Sequence, residues 1–290
     1  MLSKDKCVKC NDKCVYKTNS FLFCRGHFNE YIFGKVKRIL KSYSLPNTKK
    51  ILALSGGKDS TLLFYILSKL GYDFSPIYID FGFCPKTTNF ISKLSLYFKK
   101  EIIIITDRDY NIKVKDIIEK SKTNPCVLCS SIRRYILNDY AYKNGFDVII
   151  TGHNLTDIIN QTLNNIKNSF LLGFKNTTPY LRSNKKLIAR LKPLYLVTDN
   201  EAKTFVKINK IPFLRLKCKY FKGFFFKKYI NLMEKENIDV LIKMAFSLIN
   251  LSKIVEEIKS VKLFADKECS ICGYPSTSDI CYFCKIKKYC

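Results

Sequence analysis

The sequence predicts an α/β protein built on a doubly wound parallel sheet and flanked at each end by a small cysteine-rich module. Short apolar runs alternate with amphipathic helical patterns from residue 51 to beyond residue 155, which is typical of consecutive β-α units. Cysteine pairs with C-x-x-C or C-x-x-H spacing fall close to both termini. We therefore divide the chain into an N-terminal module, an α/β domain, a helical extension and a C-terminal module, at residues 1–30, 31–215, 216–266 and 267–290.

Composition narrows the class of protein and of partner. The chain has 290 residues, 47% of them apolar, so it can bury a substantial core. It has no apolar run long enough to cross a membrane and no signal-peptide pattern, so we expect a soluble, cytoplasmic protein. The 51 Lys and Arg residues against 24 acidic residues give a net charge of +27. Such a surface favours nucleic acid through counterion release, although a lysine-rich genome would account for part of the excess.

The cysteine pattern indicates metal sites rather than disulfides. Thirteen cysteines are an odd number, and most of them are paired at C-x-x-C spacing. Two closely spaced ligand pairs can close a tetrahedron around one Zn²⁺, and the N-terminal segment is too short for a core of its own. The predicted N-terminal zinc ligands are Cys7, Cys10, Cys24 and His27. The predicted ligands of a C-terminal zinc ribbon are Cys269, Cys272, Cys281 and Cys284. Cys14 and Cys290 are then spare thiols.

The first β-α unit contains the clearest candidate site. A strand over 51–54 is followed by Ser-Gly-Gly and then by a helix over 59–70. Glycines at this turn let the backbone approach a ligand, and the free N–H groups of the helix start favour an anion. Asp59 and Ser60 suit the helix start both as caps and as polar groups facing the ligand. The turn is not a Walker loop, because the G-x-x-x-x-G-K-S/T spacing is absent, and an ordinary glycine-rich turn is the alternative.

The remaining units predict a sheet whose ligands bind at the carboxyl ends of its strands. A helix over 28–44 precedes the first strand. The further predicted strands cover 76–80, 102–106 and 147–151. The further predicted helices cover 88–100, 112–121, 128–143 and residues from 155 onward.

The segments after the fourth unit are less regular. Residues 167–192 lose periodicity and carry several bases, so we expect an exposed loop that either contacts nucleic acid or is simply solvated. Residues 199–263 are predicted to be mostly helical. Lysines alternate with aromatic residues between 219 and 228, and we expect these aromatic side chains to pack in a core rather than to stack on bases.

Polar residues also follow the strand over 147–151. The run Thr-Gly-His-Asn-Leu-Thr-Asp at 151–157 places glycine and polar groups where they would face the same crevice as Ser55–Ser60. His153 is either a general base or, as we favour, a hydrogen-bonded structural histidine. Asp157 either acts as an acid/base or metal–nucleotide ligand, or simply caps the following helix.

Besides Cys84, three cysteines remain in the middle of the chain. Cys126 and Cys129 form a C-x-x-C pair, with Cys126 in a loop that Pro125 begins and Cys129 at or near the start of the next helix, where the helix dipole is expected to lower the pKa of Cys129. With Cys218 they could bind an iron–sulfur cluster that leaves one iron without a protein ligand. A redox pair that carries a persulfide and three unrelated thiols are equally compatible with the residues, because spacing does not link Cys218 to the pair.

Together, the motifs resemble those of tRNA 2-thiouridine synthetases of the TtuA type, within the TtcA/TtuA family of PP-loop ATP pyrophosphatases. The resemblance covers essentially the whole chain and rests on five motifs in the same order. They are the N-terminal cysteine/histidine module, S-G-G-K-D-S at 55–60, P-C-V-L-C at 125–129, T-G-H-N-L at 151–155 and the G-Y-P-containing ribbon at 269–284. The resemblance implies the HUP-like fold of PP-loop ATPases with a zinc-binding module at each end.

The resemblance also implies roles for individual residues. Those that match the ATP site are Ala53, Ser55, Gly56, Gly57, Lys58, Asp59, Ser60, Ile79, Arg133 and Gly152. Those that match ligands of a [4Fe-4S] cluster are Cys126, Cys129 and Cys218. The implied catalytic residues are Asp157, Arg133 and Asp59. Arg133 stands where the family has a lysine, and arginine keeps the positive charge but does not readily give up a proton. Thr156 and Lys219 also differ from the family pattern, which has aspartate and proline there.

The implied activity is ATP-dependent thiolation of a tRNA uridine. AMP is transferred to the C2 oxygen, pyrophosphate leaves with the help of Mg²⁺, and sulfur then replaces the adenylated oxygen. The Cys₃His ligand set favours the T-loop 5-methyluridine, with wobble-uridine 2-thiolation as the alternative and cytidine 2-thiolation less favoured. A non-catalytic, zinc-bearing RNA-binding protein on the same scaffold is the rival of a different class. The resemblance further suggests a ubiquitin-like thiocarboxylated protein as sulfur donor, and a homodimer.

Overall fold

The protein is represented by a computed structural model, which describes residues 6–45, 47–83, 85–215, 218, 220–221, 223–257 and 267–289. Its strands are β1 (Tyr16–Lys17), β2 (Leu22–Phe23), β3 (Lys50–Leu54), β4 (Ser75–Asp80), β5 (Ile103–Thr106), β6 (Val148–Thr151), β7 (Tyr180–Leu181), β8 (Ala189–Leu191), β9 (Lys267–Glu268) and β10 (Pro275–Ser276). Six of them form the central sheet, in the order β5-β4-β3-β6-β8-β7. Only β7 is antiparallel to its neighbour, so the predicted parallel sheet is confirmed with one antiparallel edge strand.

Helices cover both faces of this sheet. They are α1 (Arg25–Ser42), α2 (Lys58–Lys69), α3 (Pro85–Phe98), α4 (Val114–Lys120), α5 (Pro125–Lys143), α6 (Leu155–Lys167), α7 (Asp199–Ile208), α8 (Lys227–Glu236), α9 (Ile238–Glu257) and α10 (Tyr282–Ile286). None of the described helices is long and apolar enough to cross a membrane.

The strands are apolar on both sides, which is why they lie in the centre of a doubly wound fold. In β3, Ile51 belongs to one hydrophobic core, whereas Leu52 and Leu54 belong to the other. The core that contains Leu52 is covered by α1, α2, α3, α6 and α7, and we refer to it as the α2 face. The core that contains Ile51 is covered by α4 and α5, and we refer to it as the α5 face.

The two cysteine-rich modules pack on opposite faces of the sheet. Phe23 and Phe28 of the N-terminal module are buried in the core of the α2 face. Phe283 of the C-terminal module lies in the core of the α5 face, where its ring stacks on that of Tyr135 with the centroids 3.7 Å apart. Each module therefore extends a different hydrophobic core of the α/β domain.

The expectation of an exposed basic loop at residues 167–192 is wrong for much of that segment. It contains a 3-10 helix over Leu171–Thr177 and both β7 and β8. Lys192 is only 5% exposed, and its ammonium donates to the carbonyl oxygens of Asn176 and Thr178. Strands of two and three residues are too short to show a period, so a polar sequence concealed them.

The expectation that the aromatic residues near 220–226 pack in a core is wrong for three of the five. Phe221, Phe224 and Phe225 are 45%, 41% and 69% exposed, whereas Tyr220 packs against the core of the α5 face and Phe226 against that of the α2 face. The predicted helices after residue 199 are confirmed as α7, α8 and α9. Positions 219, 222, 258–263 and 290, to which sequence predictions also refer, lie outside the described residues.

Candidate active site and metal-binding modules

The turn from β3 to α2 forms a closed loop at the carboxyl edge of the sheet. Gly56 has a φ of +75°, a left-handed conformation that favours glycine, and a Cβ there would lie 3.3 Å from the Ile91 side chain. The hydroxyl oxygens of Ser55 and Ser60 are 3.0 Å apart, and the Gly57 N–H donates to Ser55 Oγ over 3.3 Å. These bonds fix the turn, while the first N–H groups of α2 have no partner within their own helix. The result is an anion-binding helix start.

The turn after β6 packs directly on this loop. A Cβ on Gly152 would lie 3.0 Å from the Ser60 backbone nitrogen and 3.1 Å from the Asp59 carbonyl carbon. The Asn154 side-chain amide donates to Asp59 Oδ1 over 3.0 Å. The two turns that the sequence placed at one edge are therefore in contact, and Gly152 is required by the closeness of two backbones.

Four charged side chains of alternating sign connect the loop to α7 and α8. The Lys58 ammonium lies 2.7 Å from Asp59 Oδ1 and 2.6 Å from Asp199 Oδ1 at the start of α7. Asp199 also pairs with Lys227 of α8 over 3.0 Å. Burial alone would lower the pKa of Lys58, but the two carboxylates raise it above its usual value. Lys58 thus links α2 to α7, a contact between distant residues that no local sequence signal indicated.

Asp157 caps α6 and also has the properties of a proton carrier. Its backbone N–H donates to Asn154 Oδ1 over 3.0 Å, and its own carboxylate accepts from the Asn154 N–H over 3.2 Å. Burial, assisted by the negative charge of Asp59, raises the pKa of Asp157 to about 6. The capping alternative is confirmed, and the pKa leaves the acid/base alternative chemically open.

His153 is held as a neutral side chain. Its Nδ1 lies 2.9 Å from Thr151 Oγ1, which confirms the hydrogen-bonded interpretation. Although the side chain is exposed, desolvation by the surrounding protein, together with the positive charges of Lys192 and Arg190, lowers the pKa of His153 to about 4. The imidazole is therefore uncharged at neutral pH.

Cys126 and Cys129 lie in the first two turns of α5, so the expected loop placement is wrong for Cys126, whereas Cys129 lies near the helix start as expected. The helix begins at Pro125, and the Asn124 side chain accepts from the Cys126 N–H over 2.9 Å. An Asn-Pro pair at a helix start is a known signal that identifies this boundary. The expected lowering of the Cys129 pKa is also wrong, because burial raises it to about 11 despite the nearby positive charge of Arg133.

The segment that carries Cys218 approaches the same edge of the sheet. The Leu214 N–H donates to the Gly56 carbonyl over 2.8 Å, which ties this segment to the loop. The Cys126 thiol lies 3.5 Å from the Tyr220 carbonyl oxygen. A thiolate at Cys218 or Cys126 acts on the Cys129 thiol through its charge and helps to raise its pKa. The three cysteines are thus brought near one another by tertiary contacts that spacing could not reveal.

The other predicted site residues surround this crevice. The guanidinium of Arg133 lies 4.8 Å from the centre of the Phe81 ring, just beyond the carboxyl end of β4. Ala53 and Ile79 each occupy the second-last position of their strands, β3 and β4. Ile79 is buried at 5% exposure, so a ligand would reach its backbone more readily than its side chain.

Both predicted zinc sites have their ligand atoms within 4.8 Å of one another. In the N-terminal module the His27 Nδ1 lies 3.3 Å from Cys7 Sγ and 3.4 Å from Cys24 Sγ, and Cys10 Sγ lies 3.5 Å from Cys24 Sγ. At a zinc–sulfur distance of about 2.3 Å, tetrahedral sulfur ligands are about 3.8 Å apart. The residues therefore fit a tetrahedral ion, while the Cys14 thiol donates instead to the Tyr16 carbonyl.

The C-terminal module meets the same criterion. Cys272 Sγ and Cys281 Sγ are 3.7 Å apart, close to the tetrahedral separation. The three central cysteines do not form such a compact group among the described residues. A four-iron cluster is larger than a single ion and is held by more widely spaced thiolates, so the wider arrangement suits a cluster better than zinc.

The family model of the PP-loop domain matches residues 29–216. The chain belongs to the PP-loop family. It is 30% identical to the tRNA-5-methyluridine(54) 2-sulfurtransferase of Thermotoga maritima, over 98% of this chain and 96% of that protein. It is 33% identical to the protein of the same name from Pyrococcus horikoshii, over 97% of this chain and 93% of that protein. Among solved structures it is similar to the U34-tRNA thiolase NcsA from Methanococcus maripaludis with its [4Fe-4S] cluster, with a TM-score of 0.77, 25% identity and coverage of 98% and 96%.

The resemblance to TtuA-type thiolases is therefore confirmed for this PP-loop protein, and so is its fold. The similarity extends over both cysteine-rich modules as well as the α/β domain, since the matched relatives are covered almost completely. The glycine-rich turn after β3 is accordingly a PP-loop rather than an ordinary β-α turn.

Proposed function

We propose that this PP-loop protein is an ATP-dependent tRNA sulfurtransferase that makes 2-thiouridine at the T-loop 5-methyluridine. One observation carries the proposal: an anion-binding PP-loop and three cysteines lie at the same edge of one sheet, with Leu214 bonded to Gly56 between them. The names of the two curated relatives support the reaction and the target position. The strong positive charge of the chain suits an RNA substrate.

ATP binding is assigned to the PP-loop and the strand ends beside it. The residues assigned to it are Ala53, Ser55, Gly56, Gly57, Lys58, Asp59, Ser60, Ile79, Arg133 and Gly152. The N–H groups at the start of α2 and the serine hydroxyls would hold the phosphates. Lys58 contributes positive charge nearby while it stays paired with Asp59 and Asp199. Asp59 is the carboxylate best placed on the loop to hold a Mg²⁺–nucleotide.

A [4Fe-4S] cluster is assigned to Cys126, Cys129 and Cys218. The assignment is supported by the exposure of Cys126 and Cys218 and by the bond from Leu214 to Gly56, which ties the segment that carries Cys218 to the PP-loop. Such a cluster, when bound, would supply a sulfide on an iron that has no protein ligand. The alternative of a persulfide on the Cys126–Cys129 pair is less favoured, because its buried partner Cys129 has a pKa of about 11 and is a poor thiolate at neutral pH.

Different residues are assigned to phosphate stabilisation during adenylation and to proton transfer. Adenylation forms a bond from the uracil C2 oxygen to the α-phosphorus of ATP and expels pyrophosphate, whose charge the PP-loop stabilises. Sulfide then bonds to C2, and AMP leaves with the former C2 oxygen. Asp157, with a pKa of about 6, is assigned the uracil N3 proton that must be released and returned. Arg133 is assigned phosphate charge only, so the family lysine is replaced without loss of a proton carrier.

The proposal also includes two zinc ions, a cellular location and two protein partners. Structural Zn²⁺ ions are assigned to the N-terminal and C-terminal modules, where binding contributes folding free energy to segments with little core of their own. We further propose a cytoplasmic location, a homodimer and a ubiquitin-like thiocarboxylated sulfur donor.

The decisive experiment is position-resolved mass spectrometry of tRNA nucleosides from a deletion strain. The strain is complemented with the wild type, with Asp157→Asn, with Cys218→Ala and with Cys14→Ala as a matched cysteine control. We expect 2-thiolation at position 54 with the wild type and Cys14→Ala only. Restoration at position 34 instead would establish the wobble-uridine alternative. If no 2-thiolated nucleoside depends on the gene, the proposal fails.

A second measurement separates the enzyme from a non-catalytic RNA-binding protein. The purified, cluster-loaded protein is incubated anaerobically with ATP, and the release of AMP and pyrophosphate is followed with and without unmodified tRNA. We expect release that depends on tRNA. RNA binding without any release would favour the non-catalytic rival.

A further inference from the structure

A second group of cations lies beside the crevice and has no part in the reaction assigned above. It consists of Arg134 on α5, Arg190 on β8, and Lys192, with the neutral His153 among them. Arg134 is exposed to solvent and Arg190 is half-buried. Neither guanidinium forms a hydrogen bond or ion pair with a side chain or carbonyl in the part of the chain that the structure describes. We refer to Arg134 and Arg190 as the arginine pair.

Tertiary contacts of Asn138 fix the arginine pair in place. The fully buried Asn138 side chain donates to the Arg134 carbonyl over 2.7 Å and accepts from the Ile188 N–H over 2.9 Å. It therefore binds the turn of α5 that carries Arg134 to the start of β8. Arg190 lies opposite Ile149 in the parallel register, so its side chain emerges on the α5 face, where Ile149 is buried.

The C-terminal zinc module packs beside the arginine pair. Tyr274 packs on Tyr135, with ring centroids 4.9 Å apart, next to Arg134 in α5. Tyr274 also interacts with Asn138 and feels the positive charges of both Arg190 and Arg134. The arginine pair is thus bordered by the helix that carries the cysteines, by the sheet edge and by the ribbon.

The electrostatics of this group favour a neighbouring anion. The pKa of Arg190 is lowered to about 10 by burial and by Arg134, and the pKa of Lys192 is lowered to about 7 by burial, Arg190 and Arg134. Lys192 is satisfied by two carbonyl oxygens, whereas the arginine pair has no such partners. Like charges held close together without a counter-charge destabilise the protein unless an anion completes the site.

The position of the pair distinguishes between two anions, the phosphates of ATP and those of RNA. The PP-loop presents its N–H groups from the start of α2, on the opposite face of the sheet, and within α5 the ATP phosphates are assigned to Arg133, which lies over Phe81 just beyond the end of β4. The arginine pair lies on the α5 face, together with the cysteines and the zinc module, and opens to solvent at Arg134. An opening of this kind admits a continuous polymer backbone, and a guanidinium pair can bind a phosphate with parallel hydrogen bonds.

We propose that Arg134 and Arg190 bind a backbone phosphodiester of the RNA substrate, next to the nucleotide whose base enters the crevice. The proposal rests on the proposed function, because it takes RNA as the substrate of the same site. It gives α5 two tasks: the helix presents cysteines at its start and anchors the RNA backbone two turns later.

The test measures binding of an unmodified tRNA transcript by fluorescence anisotropy over a series of salt concentrations. Arg190→Gln and Arg134→Gln are compared with Lys93→Gln, which removes one positive charge from an exposed position of α3. We expect each arginine variant to bind tRNA about ten-fold more weakly. We expect the slope of log K against log salt to fall by about 0.7 to 0.9, as for one lost phosphate contact. Lys93→Gln should change neither quantity appreciably.

Two further readouts exclude a merely structural role. ATP affinity should be unchanged in both arginine variants. The melting temperature of free Arg190→Gln should be equal to or above that of the wild type, because a source of repulsion is removed. The proposal is overturned if the arginine variants bind tRNA with the same affinity and the same salt slope as the wild type. It is also overturned if they lose ATP affinity without losing tRNA affinity. tRNA binding is measured without turnover. If the wild type fails to thiolate tRNA, the proposed function is refuted, but the comparison of tRNA binding between the variants can still be interpreted.

Discussion

Substitution of Gly152 by alanine tests the contact on which the PP-loop depends. The added Cβ would lie 3.0 Å from the Ser60 nitrogen, 3.1 Å from the Asp59 carbonyl carbon and 3.2 Å from the Ser60 Cα. Carbon atoms prefer separations of about 3.5–4.0 Å, so the turn after β6 and the start of α2 must move apart by a few tenths of an ångström. All three obstructing atoms belong to the backbone, and none can rotate away.

The expected cost follows from this overlap. Overpacking of a well-packed contact destabilises a protein by about 1–3 kcal/mol. For a chain of this size that corresponds to a melting temperature lower by slightly less than about 2 °C per kcal/mol. Because the displaced atoms are the anion-binding groups themselves, we also expect ATP affinity to fall by about ten-fold or more.

Calorimetry of unfolding and of ATP binding provides the assay, with Gly34→Ala as the matched control. Gly34 lies in α1 with no atom within 4 Å of its added Cβ. The control should therefore gain about 0.5–1 kcal/mol from the better helix propensity of alanine and should bind ATP normally. If Gly152→Ala melts and binds ATP as the wild type does, the close approach of the two turns does not hold the PP-loop in place.

Three further perturbations follow from charges and metal ligands. Burial alone would raise the pKa of Asp199, but Lys58 and Lys227 lower it below 3.8, so its stabilising effect is present at neutral pH and is lost as the pH falls through the folded-state value. Asp199→Asn should cost about 1–2 kcal/mol at pH 7 in thermal unfolding, and an equal deficit at pH 2 would contradict this. The pKa of Asp157 is raised to about 6, so the ionised carboxylate destabilises the folded protein at neutral pH. Asp157→Asn should therefore abolish thiolation but be more stable than the wild type by up to about 3 kcal/mol at pH 7.5, and this difference should vanish near pH 3. Lower stability of the variant at pH 7.5 would contradict the raised pKa. Elemental analysis should find two zinc ions per chain in Cys14→Ser and one in Cys24→Ser, and equal contents would show that the N-terminal ligand set is wrong.

Local patterns predicted the parts of the molecule that depend on neighbours in sequence. The PP-loop, both terminal groups of candidate metal ligands and the alternation of strands and helices as far as α6 were predictable because each is encoded within a few consecutive residues. The start of α5 was also encoded locally, by Asn124 and Pro125, and was missed. Burial of Cys129 and the resulting rise of its pKa depend on tertiary packing and could not be predicted.

The contacts that assemble the site were beyond the reach of sequence patterns. Lys58 meets Asp199 across more than a hundred residues, and Leu214 meets Gly56 across an even longer stretch. The strand that carries Arg190 has only three residues and is polar at its centre, so no periodicity marks it. Its place in the sheet is decided by pairing with β6, an interaction between residues far apart in the chain.

Helix α5 has a consequence for how the chain can tolerate changes in length. It carries Cys126, Cys129 and Arg134 and the aromatic contact at Tyr135 on one rigid rod, with a rise of about 1.5 Å and a rotation of about 100° per residue. A single inserted residue between Cys129 and Arg134 would rotate all later residues of α5 by about 100°. It would thereby break the contact of Tyr135 with Phe283 of the C-terminal module. The same insertion in the exposed turn at 144–145, which follows the helix, would be absorbed without moving the crevice. Relatives of different length should therefore differ in such turns and keep this rod at constant length.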